Sequence, residues 1–184
     1  MKAIFWYFFS TVVVSSYYTG MAFLVSCKRI VRLPQTRFLT VTIYIVGKKI
    51  GSGNWLSEGI NEYEKRLQKF MNVNTVFLKD DNELINKSEI GFSKVGKVFA
   101  LDEYGKEYTS REFSDAVFKG FEEGGAQVAF VVGGFAGLPD EIRKKYPLIS
   151  LSKLTWTHQF ARLLLVEQIY RATMIHKGTP YHKD

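Results

Sequence analysis

The chain of 184 residues has little cysteine and little histidine. Cys27 is the single cysteine, so the region that follows it offers no disulfide framework, thiol nucleophile or cysteine-based metal site. The three histidines, His158, His176 and His182, show no metal-ligand spacing with one another. We therefore predict a protein without a bound metal.

Acidic residues are missing from the front of the chain. Residues 1–40 hold five cations and no acid, and the first acid is Glu58. Subtracting these five from the 25 Lys and Arg leaves 20 cations against 18 acids, a net charge of +2 for residues 41–184. This nearly neutral part does not indicate a general affinity for nucleic acid. Any RNA affinity must come from local clusters such as Arg143-Lys-Lys145 and the last helix.

The front of the chain is typical of a targeting segment. A long apolar run over residues 3–25 precedes a stretch rich in Ser, Thr and Arg over residues 26–40. This order is similar to the bipartite presequences of algae with complex plastids, where cleavage falls before a Phe such as Phe23. We predict a removable presequence over residues 1–40 and an organelle, plastid rather than mitochondrion. A retained membrane anchor is the alternative, because the run is long enough to span a bilayer.

From residue 41 onwards, strand and helix patterns alternate. Strands are predicted by β-branched and apolar runs at residues 41–46, 74–78, 97–101, 127–132 and 148–151. Helical spacing or capping signals predict helices over residues 55–70, from a capping box at Thr109 to about 123, from near Pro139, and over 158–171. Residues 79–96 indicate a linker or a short helix. The alternation predicts an α/β fold, a parallel-type sheet flanked by helices on both faces.

Three predicted strand ends are candidates for ligand binding, because open α/β sheets bind ligands beyond the carboxyl ends of their strands. They are Leu101-Asp-Glu, the glycine turn 133–137 and residues 151–156. The glycine spacing matches neither the dinucleotide fingerprint nor a Walker loop. The turn either lets a ligand approach the backbone or requires glycine for its conformation alone.

The last helix is predicted to pack on one side and present charge on the other. Its apolar face is formed by Leu163, Leu164, Val166, Ile169 and Tyr170. The residues that lie outside that face are His158, Arg162, Glu167 and Arg171. They either form a functional surface, or Arg162 and Arg171 only pair with Glu167.

Several motifs of this region resemble one known family. They are Leu101-Asp-x-x-Gly105-Lys106, Val132-Gly-Gly-Phe-Ala-Gly-Leu138, the loop 148–156, Val166-Glu-Gln-Ile-Tyr-Arg171 and the closing Tyr181-His182. Together they are similar to the H-type ribosomal large-subunit pseudouridine N3-methyltransferases of the SPOUT superfamily. The resemblance covers residues 41–184. It implies an α/β-knot domain with a C-terminal trefoil knot, a homodimer, S-adenosyl-L-methionine as cofactor, and methylation of a pseudouridine at N3 in large-subunit ribosomal RNA within the ribosome.

The resemblance also implies site residues. Cofactor contacts fall on Leu101, Gly133, Leu151, Ser152, Lys153, Leu154, Thr155 and Trp156. Candidates to orient or deprotonate the acceptor base are Arg162, His158, Tyr181 and His182, with the tail reaching across the cleft, while Arg171 and Lys183 could hold phosphate. We expect Gly133→Val to block the cofactor cleft in a folded protein.

One segment departs from the family pattern. Residues 79–97 are shorter than the helical connection that relatives usually carry, so a helix is expected to be lost there. A catalytically silent ribosome-binding or assembly protein with the same fold is therefore the alternative function.

Overall fold

The computed structural model describes residues 38–49, 51, 53–92 and 95–183. The predicted cleavage point and Cys27 lie outside these residues, as does the predicted presequence apart from its last three residues. Strand β1 begins at Leu39, two residues before the predicted start of the domain. The elements are β1 Leu39–Val46, α1 Trp55–Leu67, β2 Met71–Leu78, α2 Asp81–Ile90, β3 Lys97–Glu107, α3 Ser110–Glu123, β4 Gln127–Val132, α4 Asp140–Lys145, β5 Leu148–Ser150 and α5 His158–His176.

The five strands form one parallel sheet in the order β2-β1-β4-β3-β5. Strand β4 lies in the middle, and every residue after Gln127 is buried. A strand that is covered on both faces needs apolar side chains at every position, which explains its unbroken apolar run. The predicted α/β fold with a parallel sheet is confirmed.

Alternation along the strands builds two cores, one on each face of the sheet. On the first face, Ile43, Ile45 and Phe130 pack with side chains of α1, α3 and α5. On the second face, Tyr44, Val46 and Val131 pack with α2 and α4. The capping box predicted at Thr109 is present, because its hydroxyl accepts from the Glu112 N–H and the Glu112 carboxylate accepts from the Thr109 N–H.

The shortened connection keeps a helix. Helix α2 begins after Asp80, whose carboxylate accepts a hydrogen bond of 2.9 Å from the Glu83 N–H, and this cap fixes its first turn. Leu84 is completely buried against the second core. The expected loss of a helix is therefore wrong, and the short-helix alternative is confirmed.

Strand β3 does not end at Leu101 as predicted. It continues to Glu107, and both Leu101 and Lys106 pair with Ile149 of β5. Residues 102–105 therefore form a bulge that projects from the strand. We call them the β3 bulge. Gly105 makes this geometry possible, because a Cβ at that position would lie 2.5 Å from the Ile149 carbonyl carbon.

Helix α5 lies against both α1 and α3 and has no exposed residue before His176. Leu165, Val166 and Ile169 are fully buried, whereas Leu163 and Leu164 are only partly so. Arg162, predicted to lie off the apolar face, is itself buried. The predicted division into an apolar and a charged face is wrong because two helices cover α5 from different sides. In the described part of the chain, we find no helix with the length and apolar character that crossing a bilayer requires.

The β3 bulge generates a stability prediction. Gly105→Ala should lower the free energy of unfolding by about 1–3 kcal/mol, because the new methyl group forces β3 and β5 apart. Chemical denaturation would measure the change. Gly51→Ala is the matched control, because a Cβ at Gly51 meets no atom within 4 Å. Equal stability of the two variants would contradict the close approach.

Candidate cofactor cleft

The β3 bulge and the carboxyl ends of β4 and β5 border one cleft of about 260 Å³. The three turns singled out in the sequence come together here, although they are far apart along the chain. Residues predicted to contact cofactor that line the cleft are Leu101, Gly133, Leu151, Ser152, Leu154, Thr155 and Trp156. Lys153 is exposed and is not among the lining residues. The geometry therefore assembles seven of the eight predicted cofactor residues around a single space.

The glycine turn after β4 is tightly packed on itself. Gly134 and Gly137 form a β-bridge, in which the Gly137 N–H donates to the Gly134 carbonyl oxygen with a nitrogen-to-oxygen distance of 3.1 Å. Gly137 has a φ of +85°. A Cβ on Gly133 would lie 2.4 Å from the Gly137 carbonyl group. Gly133→Val would therefore displace the turn, so the expectation that it only fills the cleft of an otherwise unchanged protein stays a prediction. The close approach of the Gly137 backbone is by itself sufficient to require glycine at Gly133.

An ion pair that the sequence analysis missed joins the β3 bulge to helix α4, which follows the glycine turn. Arg143 Nε lies 2.9 Å from Asp102 Oδ2, and the Asp102 side chain is almost fully buried. Both residues line the cleft, and Arg143 Nη2 is 3.5 Å from the position of a Cβ on Gly137. The Tyr104 N–H donates to Asp102 as well. The pair thus holds the β3 bulge against the glycine turn, whereas the sequence showed Arg143 only as one of a cluster of cations.

Two serines shape the loop over residues 151–156. Ser150 Oγ donates to the Ser152 carbonyl group at 2.7 Å. Ser152 Oγ in turn accepts from the Leu154 N–H at 3.0 Å and from Trp156 Nε1 at 2.9 Å. The Thr155 hydroxyl donates to the Glu103 carboxylate of the β3 bulge. Hydrogen bonds therefore set the loop geometry and connect it to the neighbouring turn.

His158 is the one predicted catalytic residue that lines the cleft. It is the first residue of α5, whose N-terminus is capped by the Thr157 hydroxyl through the Phe160 N–H. Its Nε2 atom lies 3.5 Å from the position of a Cβ on Gly47, which ends β1. The imidazole thus sits where the loop after β1 meets the start of α5.

Arg162 lies in a buried polar cluster between α1, β2 and α5. Its Nη2 donates to Glu64 Oε1 at 2.9 Å and to Thr75 Oγ1 at 3.3 Å. The guanidinium carbon is 5.2 Å from the centre of the Phe77 ring. The alternative that Arg162 pairs with Glu167 is wrong, because α1 supplies the partner. Arg162 does not line the cleft.

The C-terminal tail lies on the middle of α5. The Tyr181 hydroxyl donates to Glu167 Oε1 at 3.2 Å, and Arg171 Nη2 pairs with the same oxygen at 2.7 Å. His182 Nδ1 is 3.4 Å from Arg171 Nη1. The predicted pairing of Arg171 with Glu167 is confirmed. Neither Tyr181 nor His182 lines the cleft, and nine residues of helix, or about 14 Å, separate Glu167 from His158.

Burial raises the pKa of the Tyr181 phenol, and a hydrogen bond with Tyr63 and the charge of Glu167 raise it further. The phenol therefore stays protonated at neutral pH. In this arrangement it is a hydrogen-bond donor rather than a base. Within the described residues, no group of three or more His, Cys, Asp or Glu side chains could hold a metal ion.

The family model described as "Predicted SPOUT methyltransferase" matches residues 39–182. The chain belongs to the SPOUT methyltransferase family. The ribosomal RNA large subunit methyltransferase H of Protochlamydia amoebophila is 41% identical over 145 residues, which is 79% of this chain and 99% of that protein. The enzyme of the same name from Streptococcus uberis is 39% identical over 161 residues, covering 79% of this chain and all of that protein.

A solved structure supports the fold at much lower sequence similarity. It is a probable methylase family protein from Haemophilus influenzae, with a TM-score of 0.50 and 12% identity over 78% of this chain and 70% of that one. At this low identity the likeness supports the fold alone.

The relatives also bear on the overall length of the matched region. The matched 79% of this chain is about 145 of its 184 residues. The alignment with the chlamydial protein also spans 145 positions, so it is almost free of gaps. The alignment with the streptococcal protein covers the same share of this chain but spans 161 positions, so it includes about 16 positions that have no counterpart in this chain. A compact family member of this length is therefore not peculiar to this chain.

The buried position of Arg162 generates a prediction. Arg162→Met should lower the free energy of unfolding by roughly 2–4 kcal/mol, because it leaves the Glu64 carboxylate partly buried without its cation. Urea denaturation would measure the loss, and the double variant with Glu64→Gln should recover part of it. Arg66→Met removes an exposed pair with Glu62 and serves as control, with little expected change. Unaltered stability of Arg162→Met together with lost methyl transfer would instead give Arg162 a direct catalytic role.

Proposed function

We propose that this protein is an S-adenosyl-L-methionine-dependent methyltransferase that modifies N3 of a pseudouridine in large-subunit ribosomal RNA. The observation that carries the proposal is the convergence of three strand-end turns on one cleft in a SPOUT-family chain. Relatives named ribosomal RNA large subunit methyltransferase H supply the substrate class, and they align with this chain over almost their whole length.

The cleft fits the proposed cofactor chemically. Leu101, Leu151 and Leu154 provide apolar surface for an adenosyl group, and the backbone of the loop 151–156 provides donors and acceptors for an adenine edge. The lining charges are Asp102, Glu103 and Arg143, and Arg143 pairs with Asp102. Glu103 is therefore the lining carboxylate that is not paired with Arg143 and is available to a cationic ligand. When bound, the cofactor supplies an activated methyl group on a sulfonium ion.

His158 is the residue best placed to act on the acceptor base. Forming the bond between N3 and the methyl carbon requires that N3 lose its proton, and a lining imidazole can accept it. Arg162 and Tyr181 are less suited in this chain, because Arg162 is held by Glu64 and the Tyr181 phenol is protonated. The chain's remaining task is alignment of the two reactants, which the fixed loops favour.

We propose that the working protein is a homodimer and that the C-terminal region forms the family's trefoil knot. The tail supports the first proposal. Tyr181 is fixed near Glu167, about 14 Å along α5 from His158, so it does not reach the cleft of its own chain. A second copy could bring Tyr181, His182 and Lys183 to the cleft, where they would contact the acceptor RNA.

The substrate is proposed to be an assembled ribosomal particle. The net charge of +2 for residues 41–184 is too small to hold naked RNA by charge alone. A composite surface that recognises the shape of a particle does not need that charge.

Two measurements test the function. Mass spectrometry of ribosomal RNA nucleosides from cells that lack the protein should show loss of N3-methylpseudouridine. Calorimetry should show binding of S-adenosyl-L-methionine to the folded protein. Retained modification would contradict the proposed reaction, and absent cofactor binding would favour the catalytically silent ribosome-binding alternative.

The role of His158 is tested separately. His158→Gln should lower kcat by roughly 10²- to 10⁴-fold, because a base is lost, with a much smaller effect on cofactor affinity. His176→Gln is the matched control, since His176 stacks on Phe118 at the other end of α5. Full kcat in the His158 variant would exclude the imidazole as the proton acceptor.

We also propose that the segment before β1 targets the protein to an organelle, with a plastid favoured, and is then removed; the predicted boundary at residue 40 shifts to just before Leu39, because Leu39 and Thr40 pair within the sheet. The acid-free, Ser- and Arg-rich stretch after the apolar run supports this proposal. N-terminal sequencing of the mature protein should find a start near residue 40. An intact Met1 in a membrane fraction would instead support a retained anchor.

A further inference from the structure

Each of the three turns around the cleft exposes a large apolar side chain. Tyr104 on the β3 bulge is 79% exposed, Leu154 is 66% exposed, and Phe135 at the tip of the glycine turn is fully exposed. Trp156, which is 40% exposed, adds a fourth large apolar side chain and a third aromatic ring. Large exposed aromatic groups collected at one opening indicate a binding surface rather than random surface composition.

Phe135 is held on a rigid support. The Gly134–Gly137 bridge closes the turn beneath it, and Gly133 packs against the Gly137 and Leu138 backbone too closely for a side chain. The ion pair between Arg143 and Asp102 fixes helix α4, which follows the turn, to the β3 bulge. The ring is therefore presented to solvent at little conformational cost on binding.

Cations flank the same opening. Lys48 and Lys49 are exposed and follow Gly47, which lies against the cleft residue His158. Lys153 is exposed in the loop that carries Leu154. Aromatic faces bordered by flexible cations match a single-stranded nucleic acid, in which bases stack and phosphates pair with lysines. The core of a protein interface, by contrast, is depleted of lysine.

We infer that Phe135 is a stacking surface for an unpaired base of the RNA substrate, next to the nucleotide that enters the cleft. The identity of that RNA rests on the proposed function. The acceptor base must approach the cofactor through the opening that Phe135 borders, so a neighbouring base comes within reach of the ring. Phe135 is then a substrate-positioning residue at the rim of the cleft.

The experiment compares two substitutions at one position in the full-length mature protein. Phe135→Leu keeps an apolar side chain but removes the aromatic face, whereas Phe135→Trp keeps a face. With unmethylated large ribosomal subunits as substrate, Phe135→Leu should raise KM by about 5- to 50-fold. Its kcat and its affinity for S-adenosyl-L-methionine should stay within about twofold of the original protein. Phe135→Trp should retain the original KM.

Ile90→Leu is the control, since Ile90 is an exposed apolar residue at the end of α2 and does not line the cleft. Its KM should not change. An unchanged KM in Phe135→Leu would overturn the inference. A loss of cofactor affinity as large as the rise in KM would also overturn the inference, because it would place the ring in the cofactor site. Dissociation of the protein in sedimentation would overturn it as well, because it would place the ring between two copies.

Cosedimentation with the subunits separates this inference from the proposed function. If the original protein transfers no methyl group, the proposed function fails. Weaker cosedimentation of Phe135→Leu than of Phe135→Trp would still support stacking. Equal cosedimentation of the two variants would refute it.

Discussion

Close backbone packing at the carboxyl edge of the sheet is the constraint on which the cleft depends. At Gly105 and Gly133, the place of a side chain is taken by the backbone of Ile149 and of Gly137. These two approaches let the β3 bulge and the glycine turn lie against their neighbours. Three connections can then border one small space, and their positions are fixed before any ligand arrives.

Most of the arginines in and near this region are paired with carboxylates and stabilise the fold. Asp102 holds Arg143, Glu64 holds Arg162, and Glu167 holds Arg171. Partners in low dielectric are costly to separate, so these cations act as fixed parts of the scaffold. His158 and Glu103 are the lining groups left for chemistry and for a cationic ligand. The exposed lysines nearby are suited to a more loosely held polyanion.

Much of the architecture could be predicted from the sequence, because periodicity and turn residues are local signals. The buried run of β4 and the capping box at Thr109 are examples, and the three segments that border the cleft were found from predicted strand ends and family motifs. The partner of Arg162 could not be predicted, since Glu64 is 98 positions away and spacing on one helix suggests Glu167 instead. The β3 bulge was missed for a similar reason: it exists only through its register with β5.

Strand β2 forms one margin of the sheet, and its side chains affect how the molecule behaves in concentrated solution. Asn72 and Asn74 are exposed at alternate positions along it. An edge strand offers unpaired amide and carbonyl groups to another chain, and flat, hydrophobic edge strands promote fibrillar aggregation. Asparagine is disfavoured in strands, so these two positions make β2 a poorer template for a further strand than a β-branched run would be. Growth of the parallel sheet along this open border is thereby made less favourable.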